Sequence, residues 1–323
     1  MSGKLLFGAD LGGTKTLLAL AEERGGRPVI LDERRYANDE FDSFAAVLCR
    51  FLDEIGLGDD RVDAACIGVA GPIEGRRIKV TNLPWTLDAG ELSRTLGGTR
   101  VLLLNDFAAA AHGIDALEAD ALVTLQDGEP VEHGAQLVLG AGTGLGVAFR
   151  IWAGDRYQVV GGEGGHFGFS PADATQAALA DALRTRFGRV IVEHVVSGPG
   201  LARVHAFLSD SNAESDPASI VRAALEAGDA GALAAVDLFL ACYGAVAGDY
   251  ALACMACGGV FVAGGIAPKL RSRIESGGFV RAFGNKGVHA ALAARFPVHL
   301  VTDGRLGLLG ALAAASSTRF SRS

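Results

Sequence analysis

Residues 6–20, LFGADLGGTKTLLAL, decide the fold. Two apolar runs flank a glycine loop, which predicts a strand over Lys4–Asp10, a tight turn and a second strand over Thr16–Ala21. The loop has the glycine spacing of a P-loop, but Thr14 stands where a P-loop has lysine. A strand-like segment follows instead of a helix. The stretch therefore predicts a β-hairpin whose backbone N–H groups can approach a phosphate.

The same pattern returns about 130 residues later, at residues 137–149, LVLGAGTGLGVAF. Its glycines alternate at every second position, so it is not a dinucleotide-binding GxGxxG loop. Two such hairpins predict two related α/β halves, each opening with a phosphate-binding loop. Two ordinary glycine-rich turns are the alternative. The candidate phosphate ligands are Gly12, Gly13, Thr14, Lys15, Gly142, Thr143 and Gly144.

The length of 323 residues predicts two domains, and a hydrophobic content of 50% supports sizeable cores. The formal net charge of -8 argues against nucleic acid or an anionic membrane surface as a partner. Residues 251–267 are uncharged, and we interpret them as a buried helix followed by a core strand. Leu5–Phe7 form too short an apolar run for a signal peptide. Five cysteines without disulfide-framework spacing fit a reduced, cytoplasmic protein.

Hydrophobic periodicity predicts a mixed α/β chain. Further strands are predicted at Pro28–Arg34, Ala64–Ala70, Arg100–Leu104, Ala121–Leu125, Gln136–Gly140, Gly146–Trp152, Val260–Ala263 and Val298–Val301. Helices are predicted at Phe41–Ile55, Phe107–Ile114, Thr175–Phe187, Pro199–Phe207, Ile220–Ala227 and Gly231–Ala256.

Three acidic residues are the candidates for chemistry. Asp106 lies where an apolar strand gives way to an alanine-rich helix, in residues 101–110, VLLLNDFAAA. There it could serve as a general base, or Asn105 or Asp106 could merely cap the helix. Asp10, at the end of the first strand, is placed to hold Mg²⁺ through water. Glu163, with His166, lies in the glycine-rich loop GGEGGHFG.

Glu163 and His166 together can accept from and donate to a pair of vicinal hydroxyls. A surface turn with two solvated side chains is the alternative. As a metal site the pair is poor, because no further ligand is near it in sequence. Cys254 and Cys257 form a CxxC pair, but their apolar helix favours small buried side chains.

These motifs together resemble a known family. DLGGTKT, GAGTGLG and Gly258–Pro268 (GGVFVAGGIAP) are similar to the phosphate and adenosine motifs of the sugar kinase/Hsp70/actin superfamily. More specifically, LLLNDFAAA, GGEGGHFGF and VEHVVSGPGL resemble bacterial glucokinases outside the ROK branch. The resemblance runs from residue 6 to about residue 312. It implies two ribonuclease-H-like α/β domains around a cleft, residues 1–115 plus 303–323 and residues 116–302. The last helix, over Arg305–Ala314, returns to the smaller domain.

The resemblance also implies the reaction and the roles of single residues. ATP with Mg²⁺ would phosphorylate glucose at its 6-hydroxyl, with Asp106 as general base. The side chains that would contact the sugar are Asn105, Asp106, Glu163, His166 and Glu193. For Glu193, the sequence alone favours a solvated helix residue instead. Gly264 and Gly265 would lie near the adenine. The resemblance further implies a homodimer. The closely spaced cysteines that bind zinc in ROK kinases are missing after the loop of Glu163, so no zinc is expected.

One departure from the family pattern concerns the first loop. Glucokinases of this branch commonly carry Asn, another residue and Arg after Gly-Gly-Thr, whereas this chain has Lys15, Thr16 and Leu17. Lys15 could bind phosphate or point to solvent. Two alternatives to a glucose kinase stay open here. One is a kinase for another hexose or an N-acetyl hexosamine, and the other is a sugar-sensing regulator or actin-like ATPase without sugar turnover.

Overall fold

The computed structural model describes residues 3–57, 62–71, 73–81, 83–211 and 213–317, without the side chains of 73 and 74. The chain divides into two compact units. Unit 1 comprises residues 1–119 and 303–323, and unit 2 comprises residues 120–302.

Unit 1 contains eight strands among its described residues: β1 (Leu5–Leu11), β2 (Lys15–Arg24), β3 (Arg27–Ala37), β4 (Ala64–Val69), β5 (Ile73–Glu74), β6 (Arg77–Lys79), β7 (Thr86–Asp88) and β8 (Val101–Asn105). Its helices are α1 (Phe44–Ile55), α2 (Ala89–Thr95), α3 (Asp106–His112) and, from the C-terminal segment, α11 (Leu306–Ser317). The main sheet has the order β3-β2-β1-β4-β8, and β5, β6 and β7 form a small separate sheet.

The first hairpin lies at the centre of unit 1. β1 runs antiparallel to β2 and parallel to β4, and β4 runs parallel to β8. Residues of β1 are buried on both faces because α1 covers one face and α11 the other. Gly8 allows α11 to pack closely, since a Cβ there would lie 2.7 Å from Leu312 Cγ. The glycine of β1 is therefore a packing requirement as well as part of the hairpin pattern.

Unit 2 repeats this topology with β9 (Leu122–Gln126), β10 (Gln136–Ala141), β11 (Leu145–Trp152), β12 (Tyr157–Gly162), β13 (Gly259–Ala263) and β14 (Val298–Val301). Its helices are α4 (Ala174–Phe187), α5 (Gly198–Leu208), α6 (Pro217–Leu225), α7 (Ala230–Cys254), α8 (Arg271–Glu275), α9 (Gly278–Gly284) and α10 (Ala290–Ala293). The sheet order is β12-β11-β10-β13-β14-β9. β10 pairs antiparallel with β11 and parallel with β13, as β1 does with β2 and β4. The two related halves expected from the sequence are confirmed.

Helix α7 is the core helix of unit 2. By length and composition it could cross a membrane, but 61% of its most apolar 18-residue window is buried inside the protein. Gly244 and Gly248 bring it against the backbone of α9, because a Cβ at either position would strike the carbonyl oxygen of Phe279 or Phe283. The interpretation of residues 251–267 as the end of a buried helix and a core strand is confirmed.

Most predicted elements are present, with shifted ends. α1 begins at Phe44 and not at Phe41, because the Ser43 hydroxyl accepts from Ala46 N–H and caps the helix there. α7 ends at Cys254 and not at Ala256, because Met255 has a positive φ of 52°. The sequence analysis missed β12, an exposed edge strand, since its adjacent valines and paired glycines break the strand alternation.

Candidate active site

The candidate residues of unit 1 meet at one edge of its sheet. Asp10 lies near the end of β1, and Asn105 ends β8, which is separated from β1 only by the parallel strand β4. Carboxyl ends of parallel strands share one edge, where α/β proteins bind ligands. Gly68 of β4 makes room for the start of α3, since a Cβ there would lie 2.8 Å from Ala109 Cβ. Asp106, the first residue of α3, therefore lies at this edge of the sheet, near Asp10.

Asn105 caps helix α3. Its Oδ1 accepts from Phe107 N–H at 3.0 Å and from Ala108 N–H at 3.3 Å. Asp106 Oδ1 also accepts from Phe107 N–H, at 2.9 Å. The capping interpretation is therefore correct for Asn105, and it does not remove Asp106 from the site. Because the Asn105 oxygen is engaged, its amide nitrogen is the group that can donate to a ligand.

Asp10 occupies an electrostatically unfavourable position. Burial, followed by repulsion from Asp106, raises the pKa of its carboxyl from 3.8 to about 6, while Lys15 lowers it. The carboxylate also lies against the first turn of α11, where a Cβ at Gly307 would be 2.6 Å from Asp10 Oδ2. A glycine is required at this position. Sequence reasoning missed Gly307 because it is almost 300 residues from its partner.

The first candidate phosphate loop, residues 12–15, is held by hydrogen bonds from Asn38, a residue that the sequence analysis did not single out. Its Nδ2 donates to Gly12 O at 2.8 Å, and its backbone N–H donates to Thr14 O at 3.0 Å. Its Oδ1 accepts from Thr16 Oγ1 at 2.7 Å. Both side chains in that last bond are buried, so the loop is held from behind and its conformation is fixed before any ligand binds.

The residues at the tip of this loop are exposed. Thr14 and Lys15 are solvent-exposed, while Gly12 and Gly13 are half-buried. A Cβ at Gly13 would meet no atom within 4 Å, so internal packing does not require a glycine at this position. The loop therefore presents a hydroxyl, an ammonium group and glycine backbone to a ligand.

The position of Asp10 predicts that Asp10→Asn stabilises the unliganded protein at neutral pH. Since its pKa is about 6 in the folded chain and near 3.8 when unfolded, the stability associated with Asp10 falls as pH rises through that interval and stays lost above it. We expect a gain on the order of 1–3 kcal/mol at about pH 7.5 and little difference near pH 4. Chemical denaturation at both pH values measures this.

Asp39→Asn, an exposed substitution in the same unit, is the matched control and should change stability little at either pH. A loss of stability in Asp10→Asn at about pH 7.5 would contradict the electrostatic account.

The second phosphate loop lies at the corresponding edge of unit 2. Gly142 N–H donates to Gly144 O at 2.8 Å, and Gly142 O accepts from Gly198 N–H at 2.7 Å, at the start of α5. Thr143, at the tip, is exposed. The N-terminus of α5 is therefore held directly against the loop.

The predicted adenine segment lies beside this loop. Gly264 and Gly265 follow the carboxyl end of β13. Because β13 is parallel to β10, they lie at the same sheet edge as the loop that follows β10. Gly264 has a φ of +85°, and a Cβ on it would lie 2.6 Å from Ala141 O. Ile266 N–H also donates to Ala141 O, at 3.3 Å. Gly264 is thus needed for a close turn against β10, whereas exposed Gly265 has open space around it.

Glu163 and His166 are joined by one 3-10 turn, Gly164–His166. His166 N–H donates to Glu163 O at 3.0 Å, and both side chains are exposed. Gly164 and Gly165 are buried between them, with Cβ positions only 2.7 Å from Val147 Cγ2 and 2.6 Å from Leu145 O. The Tyr250 hydroxyl, missed by sequence reasoning, fixes the turn by donating to Gly164 O at 2.5 Å.

Glu193 joins this turn to the phosphate loop. Its Oε2 accepts from Leu145 N–H at 2.8 Å, directly after Gly144. The interpretation of Glu193 as a solvated helix residue is therefore wrong: the side chain is half-buried in a short 3-10 helix and bonded to backbone. In unit 2 the structure thus brings together Glu193, the Glu163–His166 turn and the second glycine loop.

Several other aromatic, thiol and imidazole side chains are structural. Trp85 is buried in the core of unit 1. All five cysteines are free thiols, and burial raises the pKa of Cys254 to about 11. His194 stacks on Phe187, and burial lowers the pKa of its ring. Among the described residues, no group of three or more His, Cys, Asp or Glu side chains could hold a metal ion.

The fit to Mg²⁺ rests on Asp10. Mg²⁺ in phosphoryl-transfer sites is commonly held by one or two carboxylates, with water and substrate phosphates as the other ligands. A raised carboxyl pKa beside a second carboxylate marks a local excess of negative charge, which a divalent cation would relieve. Asp10, acting with phosphate oxygens, therefore suits Mg²⁺ without a protein cage of several ligands.

The fold and these sites define the class. In each unit, the first strand of a hairpin with a glycine loop also pairs with a parallel strand. Two such ribonuclease-H-like units are the architecture of the sugar kinase/Hsp70/actin superfamily. Within that superfamily, the two-unit α/β fold is of the glucokinase and hexokinase type.

Comparisons with known proteins identify the family. Residues 7–318 match the family model described as Glucokinase. The glucokinase of Synechocystis sp. is 36% identical, covering 98% of this chain and 99% of that protein. The glucokinase structure from an Antarctic psychrotroph has a TM-score of 0.86 at 30% identity and covers 98% of this chain and 99% of its own. The chain belongs to the glucokinase family. It is an enzyme that phosphorylates glucose with ATP.

The fold extends to the ROK branch as well. A ROK family glucokinase from Streptomyces griseus, solved with glucose and AMPPNP, covers 97% of this chain with a TM-score of 0.66 at 21% identity.

Proposed function

We propose that Asp106 is the general base that takes the proton from the glucose 6-hydroxyl as the γ-phosphoryl group of ATP is transferred to that oxygen. An alcohol is a poor nucleophile until its proton has an acceptor. The observation that supports this role most is the grouping of Asp106, Asn105 and Asp10 at one sheet edge, with Lys15 of the first phosphate loop close enough to lower the pKa of Asp10. Products are glucose 6-phosphate and ADP.

The remaining sugar hydroxyls are assigned to side chains with complementary hydrogen-bonding capacity. Asn105 donates through its amide nitrogen, since its oxygen caps α3. Glu163 and Glu193 accept, and His166 can donate or accept. The exposed side chains of Glu163 and His166, on a turn fixed by Tyr250, support this assignment.

ATP is assigned to the two glycine loops and the Gly264–Gly265 turn. Gly12, Gly13 and Thr14 on one loop, and Gly142, Thr143 and Gly144 on the other, would bind phosphate oxygens through backbone N–H groups and hydroxyls. Lys15, which is exposed at the end of the first loop, adds a positive charge. Mg²⁺, held by Asp10 through water, would offset charge on the phosphates. No step is assigned to zinc.

We also propose that the enzyme acts in the cytoplasm as a homodimer, without nucleic acid or membrane partners. The net charge of -8 argues against nucleic acid or an anionic membrane as a partner, and the five free cysteines support the compartment. The dimer rests on the sequence resemblance, and light scattering of the 33.2 kDa chain tests it.

Release of ADP from Mg-ATP tests the activity and its specificity. We expect ADP formation that depends strongly on glucose and is much weaker with fructose, mannose, galactose, N-acetylglucosamine or no sugar. The reason is that the base needs a positioned hydroxyl, and only a fitting hexose supplies it. Preference for another sugar would keep the mechanism and change the substrate. Equal ADP release without sugar would contradict the sugar roles of Glu163 and His166.

A further inference from the structure

The Glu193 carboxylate fills the space between two loops of unit 2. Its Oε2 accepts from Leu145 N–H at 2.8 Å, at the end of the second phosphate loop. A Cβ at Gly144 would lie 2.4 Å from this same oxygen. A Cβ at Gly165, in the turn from Glu163 to His166 (the sugar turn), would lie 3.2 Å from it. Both glycines therefore leave room for one carboxylate, which touches the phosphate loop and the sugar turn together.

The backbone around Glu193 is fixed as well. Ser197 is buried, and its Oγ donates to Glu193 O at 2.7 Å and accepts from Gly200 N–H at 3.0 Å. One residue further, Gly198 N–H donates to Gly142 O at 2.7 Å. The segment that carries Glu193 thus holds the phosphate loop at two points, once through backbone at Gly142 and once through the carboxylate at Leu145.

We propose that Glu193 is a positioning residue for the second phosphate loop, in addition to its contact with the sugar, and that it couples sugar binding to nucleotide binding. This inference rests on the proposed function. Oε2 holds Leu145 N–H, and Oε1 is the oxygen that accepts from a sugar hydroxyl. A sugar bound to Oε1 restricts the carboxylate and hence the Gly142–Gly144 loop, so each ligand tightens the other by the same factor.

Two substitutions separate the loop contact from the sugar contact. Glu193→Gln keeps an oxygen that can accept from Leu145 N–H but offers the sugar an amide donor. Glu193→Met has similar length and no such acceptor, so the Leu145 N–H loses its partner. The measurement is the dissociation constant of AMPPNP with Mg²⁺, by calorimetry on the full chain, without glucose and with saturating glucose.

Without glucose, we expect AMPPNP binding to be about tenfold weaker in Glu193→Met and within about twofold of wild type in Glu193→Gln. The hydrogen bond from Leu145 N–H is lost in the first variant, whereas the second keeps it with a neutral acceptor. Glucose should tighten AMPPNP binding in the wild type and lose most of this effect in Glu193→Met. A residue that touched only the sugar would leave glucose-free binding unchanged in both variants. That result would overturn the proposal.

Further variants control for position and folding. Glu226→Gln, an exposed substitution in the same unit, should leave both dissociation constants unchanged. Glu163→Gln should weaken glucose binding but not glucose-free AMPPNP binding. If Glu193→Met does not fold, Glu193→Asp decides, because its shorter side chain withdraws the carboxylate from Leu145. We then expect weaker glucose-free binding, and wild-type affinity would overturn the proposal.

Failure of this inference and failure of the proposed function give different results. If wild type forms ADP in response to glucose while Glu193→Met keeps wild-type AMPPNP affinity, only the coupling role is wrong. If wild type forms ADP equally without sugar, the sugar assignment is wrong, and the glucose dependence of AMPPNP binding disappears in every variant.

Discussion

Asp106→Asn should lower kcat for glucose phosphorylation by about 10²–10⁴, the usual range for loss of a general base. We expect the KM for glucose to stay within an order of magnitude. The substitution is close to isosteric, and the asparagine oxygen can still accept from Phe107 N–H, as Asp106 Oδ1 does at 2.9 Å. Helix α3 therefore keeps its start, and the group that is lost is the proton acceptor. Steady-state ADP formation at varied glucose measures both constants.

The control for this variant is Asp39→Asn, which removes one carboxylate from an exposed position in the same unit. Its kcat should equal that of the wild type. Retained kcat in Asp106→Asn would assign the base to another residue. An unchanged Tm in both variants would show that the loss of kcat in Asp106→Asn does not come from unfolding.

Gly310→Ala should destabilise unit 1 by about 3 kcal/mol, the upper part of the range for overpacking a core. Gly310 lies where α11 crosses α3, and a Cβ there would strike the Ala109 carbonyl and lie 2.8 Å from Gly113 N. Backbone atoms of a helix cannot move aside as a flexible side chain can. We therefore expect Tm to fall by roughly 5–10 °C. Activity should also fall, since α3 begins with Asp106.

Gly284→Ala is the comparison, because Gly284 lies at the end of a helix with no atom within 4 Å of its Cβ position. Alanine is the better helix former, so its effect should be small or stabilising. If Gly310→Ala were equally harmless, α3 and α11 would have to be packed less closely than the structure shows.

Local patterns were sufficient to predict the two hairpins and the sheets built on them, apart from the edge strand β12. Each hairpin is a run of apolar residues, a glycine loop and a second run, and these neighbours in sequence are also neighbours in the fold. The end of α1 was predicted correctly at Ile55, since the next residue, Gly56, takes a φ of +63°. The repeat of the pattern also predicted the common topology of the two units.

Residues that act over long sequence distances were missed. Asn38 stands in a polar segment typical of a turn, yet its side chain bonds to Gly12, 26 residues earlier. Gly307 looks like an ordinary helical glycine until α11 is placed against Asp10. For Glu193, composition predicted solvent exposure, whereas its partner lies 48 residues away. Such contacts depend on the packing of elements, and a pattern read along the chain holds no information on them.

The two units differ in when their segments are synthesised. Unit 2 is one continuous segment, residues 120–302, whereas unit 1 combines residues 1–119 with a segment that follows residue 302. Leu308, Ala311 and Leu312 of α11 complete the core over β1 and β4. During synthesis, one face of the first sheet therefore stays uncovered until the last helix emerges, while unit 2 already has its whole sequence. An apolar sheet face of unit 1 would then stay exposed at a stage when unit 2 can already fold.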